Sequence, residues 1–261
     1  MSSITLGVIG YRNHSKKLIS IIEKLELSEI KYVYHPTKKI DDVRGTNQFD
    51  KLLECDAIII ASPNKTHFEY LKKIIHNFKG YVFCEKPPVT EQVQLEELKK
   101  ISKDQKSKIF FNFMMRYGKI NHTLKEKFNS SDLGHIIRID VQASKGLAFK
   151  KKYLNSWRAD GEKNLYNILD AISIHFLDLF NYYLGNIRKI SAIPSLISKS
   201  GTSYDTISLI CEYENNVILS IFNSYATPLL NEISIIGTNG FLHFRNEKIF
   251  NTKTKNKKLY S

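Results

Sequence analysis

"ITLGVIGYRNHSKKLISIIEKL", residues 4–25, decides the fold class. The first six residues form an apolar run that reads as a strand, and Gly10 closes it. Leu18, Ile19, Ile22 and Leu25 then recur at helical spacing, so a helix is expected over 15–25. Strand, glycine turn and helix together have the outline of the dinucleotide-binding turn G-x-G-x-x-G. In that turn the first glycine makes the tight bend and the second lets the backbone approach a pyrophosphate. Arg12 and Ser15 stand at the second and third glycine positions. Gly10, Tyr11, Arg12 and Asn13 are the candidate phosphate contacts. Arg12 must either point away from the pyrophosphate or bind it through its guanidinium.

The same grammar continues outward. "IKYVYH" (30–35), "CDAIIIASP" (55–63), "YVFCEKPP" (81–88) and "KIFFNFMMRY" (108–117) read as strands, the last as a buried one. Helices are expected over "KTHFEYLKKIIHNF" and over "TEQVQLEELKKIS", the second capped by Thr90. Only a short segment separates the second strand from "NQFDKLLE", so the helix usual after that strand is expected to be largely missing. Repeated βαβ units imply an α/β Rossmann domain, a doubly wound parallel sheet whose ligand site lies at the carboxyl ends of its strands. Those ends are Gly10 onward, His35 onward, 61–64 and 84–87. After about Gly118 the pattern becomes strands in series with polar turns: "HIIRIDVQAS", "IRKISAIP", "TISLICEYE", "VILSIFNSYA" and "EISIIGTNGFLHF". One helix, over about 164–184, interrupts them. An α+β domain with a mainly antiparallel sheet is expected, dividing the chain into 1–118 and 119–261.

Composition narrows the function. The apolar and charged fractions, 42% and 25%, are those of a soluble globular protein, and no apolar stretch is long enough to span a bilayer. With no basic leader before the first strand, a cytoplasmic location is expected. Cys55, Cys84 and Cys211 lie far apart in apolar contexts and read as buried free thiols, with no metal site. The net charge of +13 is mostly lysine scattered along the chain. It lacks the arginine and aromatic interleaving of a nucleic-acid surface, so solvated faces are expected, with neither a nucleic-acid nor a membrane partner. Such a chain still favours anionic small molecules.

Five segments in order, "GVIG" (7–10), "ASPNKTH" (61–67), "VFCEKPP" (82–88), "HFLDL" (175–179) and "IIGTNGFLHF" (235–244), resemble the glucose-fructose oxidoreductase / inositol dehydrogenase (Gfo/Idh/MocA) family. The resemblance covers nearly the whole chain. It implies a dinucleotide-binding Rossmann domain over 1–118. Over 119–261 it implies an open-faced sheet domain that binds substrate and carries a common dimer surface, so a homo-oligomer is expected. It also implies NAD(P)-dependent hydride transfer to or from a secondary alcohol or ketone of a sugar, nucleotide sugar or cyclitol. Glu85-Lys86-Pro87 looks like the family's EKP motif, whose lysine lies beside the nicotinamide and the reacting hydroxyl. Ser62, Pro63, Asn64 and His67 fall where relatives border the ribose and pyrophosphate; Asn64 could equally cap the following helix. Arg116 matches an arginine near the substrate cleft, or else pairs with a carboxylate. Trp157-Arg158 resembles a pair lining the same cleft, unless the tryptophan is core.

His175 matches the base that removes the hydroxyl proton in many members. The family's aspartate lies four residues before it, and that position is Ala171. Asp170 is one residue too early: five residues are ~500° of rotation, so the two side chains diverge by ~140° on a regular helix unless a π-bulge intervenes. The glycine-rich lead to this helix is also replaced, by "GEKNLYNIL". The second strand ends in "YHPTKK", with no carboxylate for the adenosine ribose. His35, Thr37, Lys38 and Lys39 could hold a 2′-phosphate, which favours NADP over NAD. The alternative to an enzyme is a family member that kept the fold as a sugar- or nucleotide-binding or regulatory protein, as Ala171 and Arg12 would allow.

Overall fold

The computed structural model describes residues 3–245 and 248–253. The chain forms two compact units, Met1–Asn112 and Phe113–Ser261. The division falls before the expected 118 because the 3₁₀ turn Met114–Tyr117 packs against the helix Ile174–Leu184 of the second unit. The basic run at 253–258 lies outside the described residues from 254 onward.

The first unit is a six-stranded sheet built from β1 (Ile4–Ile9), β2 (Ser28–Tyr34), β3 (Gly45–Thr46), β4 (Ala57–Ile60), β5 (Tyr81–Cys84) and β6 (Ile109–Phe111), in the order β3-β2-β1-β4-β5-β6. Every neighbouring pair is parallel. The apolar runs bury Val8, Ile9, Ile58 and Ile60, as a sheet covered on both faces requires. Helices α1 (Asn13–Leu25), α2 (His67–Ile75), α3 (Gln92–Lys99) and α4 (Lys103–Ser107) connect the strands, and 35–44 is a loop.

Two local expectations are corrected. Thr90 does not cap α3: the N-cap is Glu91, and the Thr90 N–H donates to Gln94 Oε1 at 2.9 Å. β6 keeps only three residues and leaves Phe110 48% exposed, because it is the edge strand and a 3₁₀ turn follows.

The second unit opens with α5 (Lys119–Asn129) and the strand β7 (Ile136–Ser144). Short helices α6 (Lys151–Leu154) and α7 (Gly161–Asn164) precede α8 (Ile174–Leu184). Then come β8 (Ile187–Ser195), β9 (Thr206–Tyr213), β10 (Ile218–Ser224), β11 (Leu230–Gly237), β12 (Gly240–Arg245) and β13 (Lys248–Lys253). The sheet order is β13-β12-β11-β7-β10-β9-β8, antiparallel except for β7 against β10. One face packs Ile139, Leu209, Leu219 and Ile233 against Phe176, Leu179 and Phe180 of α8. The other face is open. The single helix expected over 164–184 is instead α7, a π-helical turn Leu169–Ser173, and α8.

Candidate active site

Main-chain bonds set the strand ends of the first unit. Gly10 N–H donates to Tyr34 O at 3.0 Å, Ala61 N–H to Ile9 O at 2.9 Å, Glu85 N–H to Ile60 O at 2.9 Å and Asn112 N–H to Cys84 O at 2.9 Å. Gly10 has φ +107°, and a Cβ on it would lie 2.7 Å from Ala61 O, so only glycine fits this bend. Ser15 fills the third glycine position fully buried. Its hydroxyl accepts the Arg12 N–H at 2.8 Å and donates to Arg12 O at 2.9 Å. Arg12 is the extended N-cap residue of α1, and the first turn carries no acid that would compete with a phosphate. Tyr11 donates its hydroxyl to Asp41 O at 2.9 Å, and Lys16 Nζ stands 4.3 Å from its ring centre.

Beyond β2, His35 Nδ1 accepts the N–H groups of Thr37 at 3.3 Å and Lys38 at 3.0 Å, which pins the loop. Burial first, then the charges of Lys38 and Arg12, hold the His35 ring below the ordinary histidine value. The Arg12 charge is thus felt at the end of β2 beside that of Lys38. No carboxylate among the described residues is seen to pair with the Arg12 guanidinium.

Asn64 does not cap α2. It begins the 3₁₀ turn Asn64–Thr66, whose N-cap is Pro63, and Thr66 donates its hydroxyl to Pro63 O at 2.7 Å. His67 is 1% exposed, with Nδ1 2.8 Å from Pro87 O and Nε2 2.8 Å from Ser62 O. As a ligand contact it is corrected: both ring nitrogens are occupied by main chain, so it ties the Ser62 turn to the Glu85-Lys86-Pro87 turn. Glu85 is likewise buried, accepting His14 Nε2 at 2.6 Å and Asn112 Nδ2 at 2.7 Å on one oxygen. Burial opposes its ionisation, but the His14 and Asn112 bonds and the His14 and Lys86 charges outweigh it and hold the carboxyl below its usual range. Lys86 is half-buried at the end of β5. His14 and Asn112 were missed in the sequence, since nothing local marks a partner 71 residues away.

In the second unit the π-turn decides the geometry. Ile174 N–H bonds to Leu169 O, five residues back, so Asp170 and His175 lie about one turn apart on one side of the helix. The divergence expected on a regular helix is thereby reduced. Asn164, missed in the sequence, donates Nδ2 to Asp170 Oδ2 at 2.7 Å. Tyr225 is 2% exposed and donates to Asn167 Oδ1 at 3.3 Å. Burial pushes its hydroxyl up to about 12, Arg158 opposes this by charge and hydrogen bond, and Asp170 adds to it. The charges of Arg158 and Asp170 thus both act on the Tyr225 hydroxyl.

Arg116 takes the other of its two expected roles, pairing with a carboxylate: Nε and Nη2 donate to Asp178 at 2.7 and 2.6 Å, and its Cζ sits 5.0 Å from the Tyr182 ring centre. Trp157 is 39% exposed rather than core, and Arg158 stacks over it at 4.7 Å. The three cysteines are buried and free. Among the described residues no group of three or more His, Cys, Asp or Glu side chains could hold a metal, and no helix is long and apolar enough to cross a membrane.

Residues 4–113 match the GFO_IDH_MocA model, described as an oxidoreductase family with an NAD-binding Rossmann fold, and residues 121–243 match the GFO/IDH/MocA C-terminal domain. The inositol 2-dehydrogenase of Rhizobium meliloti (strain 1021) is 22% identical over 188 residues, which cover 70% of this chain and 54% of that protein. The chain therefore spans about half the length of that curated relative. Two solved structures share the fold. The WlbA dehydrogenase from Chromobacterium violaceum, in complex with NADH and UDP-GlcNAcA, has a TM-score of 0.82 at 17% identity, covering 97% of this chain and 78% of that one. An oxidoreductase from Agrobacterium radiobacter, in complex with NAD+, L-tartaric acid and magnesium, has a TM-score of 0.81 at 16% identity, covering 97% and 77%. With both of its domain models matched in order, the chain belongs to the Gfo/Idh/MocA oxidoreductase family.

Proposed function

We propose that the chain is a cytoplasmic oxidoreductase, using NADP(H) in preference to NAD(H), that acts on a secondary alcohol or ketone of a sugar, nucleotide sugar or cyclitol. The observation that carries this reading is the π-turn. In this reading Asp170, about one π-widened turn before His175, is the carboxylate that orients the base despite Ala171. The π-turn weighs for the enzyme over a silenced binding protein.

The first unit fits a dinucleotide, because the acid-free start of α1 suits a pyrophosphate and Arg12, Lys38 and Thr37 suit a 2′-phosphate. Ser62, Pro63 and Asn64 border the ribose in this assignment. A bound nicotinamide supplies the site that accepts or gives the hydride. Lys86 donates a hydrogen bond to the substrate oxygen and stabilises the charge it develops. His175 takes the hydroxyl proton on Nε2 during oxidation and returns it during reduction, its Nδ1 being buried. Asp170 favours the imidazolium so formed. The second unit binds the substrate. Its open sheet face leaves Ile193 68%, Ile210 53% and Phe241 43% exposed, which supports a homo-oligomer.

The test is nicotinamide fluorescence on binding, followed by turnover with a panel of sugars, nucleotide sugars and cyclitols. Lys86→Ala and His175→Ala should each lower kcat by about 10²- to 10⁴-fold with the fold intact. Sugar binding with neither nicotinamide binding nor turnover would establish the silenced protein instead.

A further inference from the structure

One carboxylate oxygen gathers three strand ends of the first unit. Glu85 follows β5 and is 7% exposed, and its Oε1 accepts the His14 Nε2–H at 2.6 Å and an Asn112 Nδ2–H at 2.7 Å. Asn112 follows β6, which pairs with β5, and its main-chain N–H already donates to Cys84 O, so its approach is expected. That of His14 is not. His14 is the second residue of α1, just beyond β1, and β4 lies between β1 and β5. Two strand spacings put those two strands about 10 Å apart, with no main-chain ladder between them. The His14–Glu85 bond therefore joins the start of α1 to the Glu85-Lys86-Pro87 turn across the end of β4.

The chemistry of the pair fixes the ring. An ionised carboxylate can only accept, so the His14 proton that faces Glu85 sits on Nε2, and in the neutral ring Nδ1 keeps its lone pair. The His14 side chain is 58% exposed, so this bond holds it more than packing does. Severing the bond leaves a buried carboxylate short of one of its two donors. That costs more than an ordinary hydrogen bond because the acceptor is charged. The turn relieves the cost by shifting toward water, and Lys86 moves with it.

In the dinucleotide assignment above, the start of α1 holds the pyrophosphate, the adenosine half lies toward 35–38, and the nicotinamide half lies toward Lys86. We infer that His14 is a positioning residue for the nicotinamide half: through Nε2 it holds the Glu85-Lys86 turn at a fixed distance from the phosphate-binding start of α1. The inference rests on the oxidoreductase reading, so each dinucleotide is tested beside its own adenosine half, NADPH beside 2′,5′-ADP and NADH beside ADP. Dissociation constants are measured by calorimetry on the full chain, for wild type, His14→Gln and His14→Asn, with circular dichroism as the folding control. Glutamine carries its amide nitrogen as far along the side chain as histidine carries Nε2. Asparagine carries it only as far as Nδ1 and falls short of Glu85.

His14→Asn should weaken the dinucleotide about tenfold and leave its adenosine half unchanged, and His14→Gln should restore dinucleotide binding nearly to the wild-type value. A role confined to stability weakens both ligands alike or neither, and either result overturns the inference. So does an asparagine variant that binds the dinucleotide as well as the glutamine variant. Nitrogen NMR of the wild-type ring, assigned through its backbone, decides the matter without any variant: the proton should be on Nε2, and a ring protonated on Nδ1 alone overturns the inference. Wild type that binds no dinucleotide sinks the oxidoreductase reading and the inference with it. Wild type that binds one, with the same affinity in all three proteins, removes the inference and leaves that reading standing.

Discussion

At the strand ends of the first unit, Gly10, Ala61, Glu85 and Asn112 are tied to neighbouring strands by main-chain bonds of 2.9 to 3.0 Å. In the second unit Asp170 and His175 depend on how many residues one helical turn contains, and Arg158 stacks on the side chain of Trp157. A site made of backbone tolerates exchange of side chains, which is why Arg12 and Ser15 can replace two glycines without opening the turn. A site made of helix register tolerates exchange of residues less well than it tolerates an insertion, provided the helix can widen to absorb it.

The sharpest way to break the first half of this contrast is Gly10→Val. A side chain there meets Ala61 O at a backbone angle that β-branched residues rarely adopt, so a loss of about 3 kcal/mol in thermal or denaturant unfolding is expected, together with loss of nicotinamide binding. Near-normal stability would show that the strand ends are not held as described.

The second half is tested by Asp170→Asn, which keeps the shape and the Asn164 contact region but removes the charge. It should lower kcat by about 10²-fold and leave KM nearly unchanged, because the carboxylate acts on the imidazolium formed during reaction. Ala171→Asp should give no gain, since that side chain packs against the helical core. Equal kcat in Asp170→Asn and wild type would remove Asp170 from the site.

A smaller effect separates the cofactors. Lys38→Ala should weaken NADPH binding about tenfold and leave NADH binding unchanged, read by fluorescence titration. His35 adds a pH dependence whose sign follows from its lowered value. The folded loop keeps the ring neutral so that Nδ1 can accept from Thr37 and Lys38, whereas the released loop binds a proton readily. Loop order is thus complete above the ordinary value of 6.5 and is lost as pH falls below it, and NADPH affinity should decline over the same range. Affinity that rises on acidification would contradict the pinned loop.

These contrasts also explain what could be read from the sequence. The parallel sheet, the strand ends and the mainly antiparallel second sheet follow from local apolar periodicity, which a short window contains. Thr90 and β6 were misread because a capping hydroxyl has a competitor one residue on and because an apolar run does not say whether it is an edge. His67 reads as a ligand contact, yet the Ser62 and Pro87 carbonyls claim its ring, and of the two roles open to Arg116 the carboxylate pairing is made by Asp178, 62 residues away. His14, Asn164 and Tyr225 carry no local signal, for their roles exist only through residues brought close by folding. The Asp170 to His175 spacing was legible as a problem but not as its solution, because widening a helix by one residue is settled by packing on both sides of it.

The central claim, that the π-turn absorbs one extra residue and so pairs Asp170 with His175, is tested most directly by kcat of a chain from which Ala171 is deleted. Deleting a residue from a regular helix turns everything beyond it by about 100° and would carry His175, Phe176, Leu179 and Phe180 out of register. If the turn is a π-insertion, the deletion instead closes it to an ordinary helix with Asp170 four residues before His175. The account predicts kcat within about tenfold of wild type and an unfolding midpoint no lower. A loss of turnover as large as that of His175→Ala, or a collapse of stability, would contradict it.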